Sequence, residues 1–483
     1  MRSLFLACAL GLLSGPSIAQ SDSACAAVAR AFANDYAHAD FKGMHDHFGG
    51  LLRTIYQPGV LRKSFGTLYD VLGAPHLDSL VRRSTGAYRL WLSYAGDPTE
   101  PSRLDLVFNK DARIVGIGSS GVKQEFPKDS VARPMPSPQQ VKAKLDAYLA
   151  DKHARASFDG CAMVIDSGRV RYVNCVGVAD RRTGELLTDT TLFELASCSK
   201  PFTAQGILLL TEQGKVDLDA PVHRYLPELP YRKVTVRQLL SHTGGLPDYM
   251  ALLDAHWTKD RIATNADVLA ALVKYHPKPL FSPGKKEEYS NTGYVLLACI
   301  IERVTGQTYA QAMDRMIFRP AGMPRARVYS TRRSGEVIPA YAYGTVQDSA
   351  RGRVVPDSVP DSNYVFWLDG ITGEGTVNAS LRDLAQWDGA LRAGTLLSPA
   401  LQEQATTVQH TRKGKPTDDG LGWFLAGGGN KERVAWHSGG WPGYATFVLR
   451  FLDRPLTVVV LSNTEYLNVE RIAKRMAEVE LGR

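Results

Sequence analysis

The sequence predicts a small α+β unit followed by a larger mixed α/β domain, in which both ends of the region supply strands to one antiparallel sheet and helices fill the middle. Three observations lead there. Pro127, Pro134, Pro136 and Pro138 crowd a stretch that no regular element crosses, so the chain divides at it. Ahead of that stretch, apolar residues recur first at helical period and later in strand-like alternation. Behind it, β-rich runs stand at the start and again at the end, and strands supplied from both ends close as a single antiparallel sheet. With 483 residues, 44% of them apolar, the chain has material for more than one packed core.

Taken in order, residues 1–19 have the pattern of a secretory signal: Arg2, the apolar run from Leu4 to Leu13, and the small residues Ser17-Ile18-Ala19. The expected location is therefore periplasmic or secreted. No membrane anchor is expected, because that run is shorter than the roughly 20 residues a spanning helix needs and later apolar runs are broken by charges. Residues 22–121 form the first region. It opens on Ala26, Val28, Ala29, Phe32 and Tyr36 at helical spacing and closes on the alternating Tyr88-Arg89-Leu90-Trp91-Leu92 and Leu104-Asp105-Leu106-Val107-Phe108. This layout is similar to the cone-shaped nuclear transport factor 2-like fold. His38, His45 and His47 lack a fixed fourth ligand and read as surface histidines. The glycines of Gly116-Ile117-Gly118-Ser119-Ser120-Gly121 spell a dinucleotide fingerprint but run into the prolines instead of a helix, so they read as a turn.

A linker over 122–137 leads to the second region, 138–483. Ser137-Pro138-Gln139-Gln140 is a capping box with proline at the first helical position, followed by Val141, Leu145, Tyr148 and Leu149 on one face. Ala162 to Ile165 and Val170 to Val178 read as a hairpin. At the far end, Val434 to Ser438, Ala445 to Phe451 and Leu456 to Leu461 read as strands, and about Val469 to Val479 as an amphipathic helix.

The net charge of +8 is dispersed, with no basic run and no nucleic-acid motif, so no nucleic-acid partner is expected. Of six cysteines, Cys8 falls in the signal-like segment, and the remaining Cys25, Cys161, Cys175, Cys198 and Cys299 are an odd, scattered set and no disulfide framework. A bridge between Cys161 and Cys175 is geometrically conceivable across the hairpin; buried thiols are the alternative. No spacing suits a metal, and no organic cofactor is implied.

Three short motifs carry chemistry. In Ser197-Cys198-Ser199-Lys200, positions i and i+3 of a helix share a face, which sets the Lys200 amine beside the Ser197 hydroxyl; a serine needs such a base to become a nucleophile. In Tyr289-Ser290-Asn291, an extended backbone aims Tyr289 and Asn291 the same way, and a phenol near an ammonium can exchange a proton with a leaving group; an Asn cap before a helix from Gly293 to Thr305 is the plainer reading. In His437-Ser438-Gly439-Gly440, at the end of a strand, glycines let a substrate lie against the edge, and the Gly440 N–H can join that of Ser197 around an oxyanion. Each alone is common.

In this order the three resemble the motifs of the penicillin-binding-protein and class C β-lactamase superfamily, in particular its branch of esterases and D-aminopeptidases. Thr235-Val236-Arg237-Gln238-Leu239-Leu240-Ser241-His242-Thr243-Gly244-Gly245-Leu246, Ile317 to Met323 and Ser380 to Trp387 look like landmarks of the same branch. The resemblance implies a β-lactamase/transpeptidase-like fold, with Ser197 as nucleophile, Lys200 as its base partner and Tyr289 as second proton carrier. It further implies that Asn291 binds substrate and holds Lys200, and that His437, Ser438, Gly439 and Gly440 border the substrate, with His437 where many relatives carry lysine. His242 is expected to orient its turn. A neutral histidine surrenders the charge that grips a penicillin or D-alanyl carboxylate, so an ester or amide without that group is the expected substrate, ahead of D-alanyl-D-alanine peptides or β-lactams. Gly370-Ile371-Thr372-Gly373-Glu374-Gly375 departs from the glycine pairs usual in the family. The rival of a different class is a non-catalytic binder of peptidoglycan or a small ligand on the same fold. Oligomeric state is not legible.

Overall fold

The structure, a computed structural model, describes residues 22–483 apart from scattered positions between 60 and 72 and residues 95–96, 119–123, 129–135, 156–157, 331–336, 349, 361 and 466–467. The signal-like segment 1–19, much of the linker and Ser119 to Gly121 lie outside the described residues. Contacts divide the chain into two compact units. One comprises the residues up to 123 with 149–158 and 347–353; the other comprises 124–148, 159–346 and 354–483.

The first unit carries helices α1 (Asp22–Ala37), α2 (Phe41–Asp46) and α3 (Gly50–Ile55), then strands β1 (Pro75–Ser84), β2 (Ala87–Tyr94), β3 (Asp97–Phe108) and β4 (Ile114–Gly118). The strands form one antiparallel meander in sequence order. Alternation along β2 buries Tyr88, Leu90, Leu92 and Tyr94 against Phe32 and Tyr36 of α1. The three histidines are each bonded locally: His38 to the Asn34 carbonyl, His45 to the Arg53 carbonyl, and His47 to Asp35 at 2.7 Å.

In the second unit the capping box at Ser137 forms as read: its hydroxyl accepts from the Gln140 N–H and the Gln140 side chain accepts from the Ser137 N–H, opening α4 (Pro138–Ala154), of which residues 138–148 belong to this unit. A six-stranded antiparallel sheet follows. Its strands are β5 (Gly160–Asp166), β6 (Arg169–Val176), β7 (Phe424–Gly428), β8 (Lys431–Trp441), β9 (Tyr444–Phe451) and β10 (Leu456–Ser462), in the spatial order β7-β8-β9-β10-β5-β6. The C-terminal strand β10 pairs with the N-terminal strand β5, so both ends of the region do close one sheet. β9 and β10 are buried along their whole length, which is why they read as continuous apolar runs. Helix α5 (Lys200–Glu212), α6 (Val236–Leu240), α7 (Asn291–Thr305) and the amphipathic α8 (Val469–Glu480) belong to the same unit. α7 has ten consecutive buried residues from Thr292 to Ile301 and touches both α5 and α6.

Cys161 and Cys175 face each other across β5 and β6 and form a disulfide, while Cys25, Cys198 and Cys299 are buried thiols. Three sequence expectations need correction. β8 runs on through Trp441, so His437 to Gly440 lie within a strand and not at its end. The hairpin's second strand stops at Val176, and Val178–Asp180 pairs instead with Glu185–Leu186. Helix α7 begins at Asn291 with Ser290 as its cap, so the strand-like alternation that was to aim Asn291 alongside Tyr289 does not extend to it.

Candidate active site

Ser197 sits in a short 3-10 turn, Ala196–Ser199, that feeds directly into α5. In a 3-10 turn residues i and i+3 eclipse, so Lys200, the first residue of α5, is brought over Ser197. Lys200 is fully buried, and its Nζ lies 3.0 Å from Ser197 Oγ. Ala196, just ahead of the serine, has φ +48°, a left-handed backbone that costs a non-glycine residue energy and must be held by its surroundings. Those holds are visible. The Leu195 N–H donates to the Val377 carbonyl, Ser199 Oγ accepts from the Val377 N–H at 3.0 Å, and Thr446 Oγ1 donates to the Leu195 carbonyl at 2.7 Å.

Strand β8 closes the other side of the turn. The Cys198 thiol donates to the His437 carbonyl at 3.2 Å; burial pushes that thiol up to about 12, so it packs and does not react. The two glycines of β8 differ in duty. Gly439 is buried, and a methyl there would come closer than 3.0 Å to both the Leu195 carbonyl and Thr446 Oγ1, so glycine is what allows the strand to touch the nucleophile's turn. Gly440 is exposed, with nothing within 4 Å of such a methyl, and borders open space. Ser438 is half-buried between them and His437.

His437 is 2% exposed, and its Nδ1 lies 2.7 Å from the Ser438 carbonyl. Only the Nδ1–H tautomer makes that bond, which leaves Nε2 as an acceptor. Burial, then the Lys200 charge, push its pKa down to about 3, so the ring is neutral at ordinary pH.

Tyr289 reaches the same place from the segment before α7. Lys200 Nζ stands 5.0 Å from its ring centre, and the ring lies 4.5 Å from that of His242, 6.0 Å from Phe424 and 6.4 Å from His437. The residue as a whole is 43% exposed, yet burial around its hydroxyl raises the phenol above its ordinary value, against a downward pull from the Lys200 charge and from hydrogen bonding with Lys200 and Ser197. His242 brackets this tyrosine: its carbonyl accepts from the Glu288 N–H at 2.9 Å, and its ring Nδ1 accepts from the Ser290 N–H at 3.1 Å. An accepting Nδ1 requires an uncharged ring, in keeping with burial that holds its pKa well below the usual histidine value. His242 has φ +54° at the end of the turn after α6, and the capping box expected at Thr235 and Gln238 is present.

Asn291 opens α7 half-buried, its Oδ1 buried without a hydrogen-bond partner among the described residues. It is not what holds Lys200. Besides Ser197 and Tyr289, the ammonium contacts Glu374, at the backbone carbonyl (2.8 Å) and at Oε2 (3.3 Å). Glu374 Oε1 in turn accepts from Tyr249 Oη at 2.9 Å, in a wholly buried chain of contacts. Glu374 lies in the glycine-rich loop, where Gly373 has φ +92° and presses against the Tyr294 carbonyl and the Ala298 methyl. Thr376 holds a left-handed φ of +71°, a backbone glycine would adopt without strain.

The sequence signature of the beta-lactamase family matches residues 145–483. The chain belongs to that family. Among its relatives is penicillin-binding protein 4* of Bacillus subtilis (strain 168), 44% identical over 318 residues, covering 66% of this chain and 70% of the relative. Esterase EstB of Burkholderia gladioli is 29% identical over 377 residues, covering 67% and 91%. The solved octameric penicillin-binding protein homologue from Pyrococcus abyssi superimposes with TM-score 0.60 at 27% identity, over 71% of this chain and 77% of that one. The fold is thus β-lactamase/transpeptidase-like, and the enzyme is a serine hydrolase of the beta-lactamase and penicillin-binding-protein type.

Within this beta-lactamase-family site, Ser197, Lys200, Tyr289 and His437 come together around one point, with Gly439 touching the turn that bears the serine. Three neighbours were not singled out by sequence reasoning: Glu374, Tyr249 and Phe424. For Glu374 a signal existed, an acid set among glycines and apolar residues. For Tyr249 and Phe424 there was none, since each is brought in only by tertiary packing.

Proposed function

We propose that the protein is an exported hydrolase that cleaves an ester or amide through an acyl-enzyme on Ser197. The observation that carries this is the 3.0 Å approach of a fully buried lysine to a half-buried serine, beside a tyrosine at the cleft edge. Ser197 Oγ attacks the substrate carbonyl carbon while its proton passes to Lys200. The resulting oxyanion takes hydrogen bonds from the N–H groups of Ser197 and Gly440, and collapse expels the alcohol or amine, which leaves with a proton delivered through Tyr289. Water, activated at the same Tyr289 and Lys200, then releases the acid and restores Ser197.

Neutral His437 sets the substrate class. It offers an acceptor, not a fixed positive charge, so a carboxylate next to the scissile bond is no requirement. An esterase among the relatives supports the same choice. Export is supported by the signal-like segment and by the Cys161–Cys175 bridge, since disulfides persist in oxidising compartments. Partners are a small-molecule or peptide substrate.

A hydrolysis panel tests the reading: p-nitrophenyl esters, D-amino-acid p-nitroanilides, nitrocefin and a D-alanyl-D-alanine peptide, each with wild type and Ser197→Ala. Turnover of the ester or anilide that vanishes in Ser197→Ala is expected; nitrocefin or the dipeptide as the preferred substrate would overturn the assigned class.

A further inference from the structure

We propose that Glu374 is a positioning residue for Lys200: its backbone carbonyl and its carboxylate together direct the lysine nitrogen at Ser197. The inference rests on the proposed role of Lys200 as the group that takes the Ser197 proton.

The geometry is specific. Lys200 Nζ lies 3.0 Å from Ser197 Oγ, 2.8 Å from the Glu374 carbonyl and 3.3 Å from Glu374 Oε2, and it also hydrogen-bonds with the Tyr289 hydroxyl. An ammonium has three N–H bonds, two for the Glu374 atoms and one on the side of Ser197 and Tyr289. A neutral amine has two N–H bonds and one lone pair, and both Glu374 atoms are acceptors that only N–H bonds can satisfy. The lone pair is then left on the side of Ser197 Oγ and the Tyr289 hydroxyl, where a base must point to accept the serine proton. One residue therefore fixes two of the three positions on the nitrogen in either protonation state, through its backbone and its side chain together.

The side chain is itself held. Tyr249 Oη donates to Glu374 Oε1 at 2.9 Å; Tyr249 is fully buried, and burial and then the Glu374 charge push its phenol well above the ordinary value, so it stays a donor. Gly373 and the contacts of Val377 with the Ser197 turn pin the loop on either side.

The test is kcat/KM against pH on a p-nitrophenyl ester for wild type, Glu374→Gln and Glu374→Asp, with mass-mapped fluorophosphonate labelling to count active Ser197 in each protein. Glu374→Gln keeps the backbone carbonyl but leaves one amide oxygen for Lys200 and Tyr249 to share, so the kcat/KM plateau per labelled Ser197 should fall about tenfold or more. A wild-type plateau per labelled Ser197 overturns the inference, because a merely structural loss lowers the labelled fraction and leaves the rate per labelled site unchanged. Glu374→Asp keeps a buried charge should the glutamine variant fail to fold. It draws the carboxylate back by about one C–C bond, roughly 1.5 Å, and should lower the plateau about tenfold or more; a wild-type plateau overturns the inference equally. Absence of a Ser197 adduct in the wild type would instead remove the acyl-Ser197 reading on which the inference rests, so the two failures are distinguishable.

Discussion

Replacing Gly439 by alanine is expected to damage the site from a residue that contributes no side chain to it. The added methyl lies closer than 3.0 Å to the Leu195 carbonyl and to Thr446 Oγ1, which are themselves hydrogen-bonded to each other at 2.7 Å, and it comes within 3.2 Å of the Cys198 N–H nitrogen. None of these is a flexible side-chain end that can swing away. Strand β8 and the Ala196–Ser199 turn must separate by about 1 Å to reach ordinary contact. Overpacking of this kind costs about 1–3 kcal/mol, and a displacement of about 1 Å between nucleophile and binding strand costs on the order of 10²-fold in rate. Urea-unfolding midpoints and kcat/KM on a p-nitrophenyl ester report both. Gly440→Ala serves as the stability control, since its methyl meets nothing within 4 Å, and its midpoint should match wild type. A Gly439→Ala protein with unchanged midpoint and unchanged kcat/KM would refute the claim that the serine's turn is held by contact with β8.

Other perturbations follow from the same geometry. His437 stays neutral when folded down to about pH 3, whereas an unfolded imidazole titrates near 6.5, so between those values the unfolded state binds the extra proton and stability falls as pH drops. The slope from this one residue is up to about 1.4 kcal/mol per pH unit, absent above 6.5; His437→Gln should flatten the difference between urea midpoints at pH 5 and pH 7, and an unaltered difference would argue that the ring is charged or exposed. His242→Ala removes the acceptor of the Ser290 N–H and should cost about 1–3 kcal/mol and lower kcat, while His242→Asn, which tolerates left-handed backbone and keeps an acceptor, should recover part of both. Equal behaviour of the two variants would count against the bracketing of Tyr289. Cys175→Ser opens a bridge spanning 14 positions and should lower stability by about 3 kcal/mol in oxidising buffer, with no difference from wild type once both are reduced.

Much of this was legible in the residues because period and spacing are local. The alternating β2, the apolar runs of β9 and β10, and the capping boxes at Ser137 and Thr235 all formed where the pattern placed them. The Ser197–Lys200 pairing follows from three residues of separation in any helical turn. What escaped is what only tertiary packing decides. Asn291 was aimed by strand alternation, but Ser290 caps the helix and moves Asn291 into its first turn. The short strand Phe424–Gly428 has too many glycines to alternate, so Phe424 went unread although its ring stacks on Tyr289. The lysine's carboxylate partner lies 174 residues away in sequence, a distance no local pattern spans.

The measurement that bears most directly on the account is the mass of the protein after exposure to a fluorophosphonate, followed by peptide mapping of the adduct. One adduct per chain on Ser197, lost in Ser197→Ala and strongly slowed in Lys200→Ala, is the predicted result. An adduct on another serine, or labelling of Ser197 that proceeds at the wild-type rate without Lys200, would contradict the assignment of nucleophile and base.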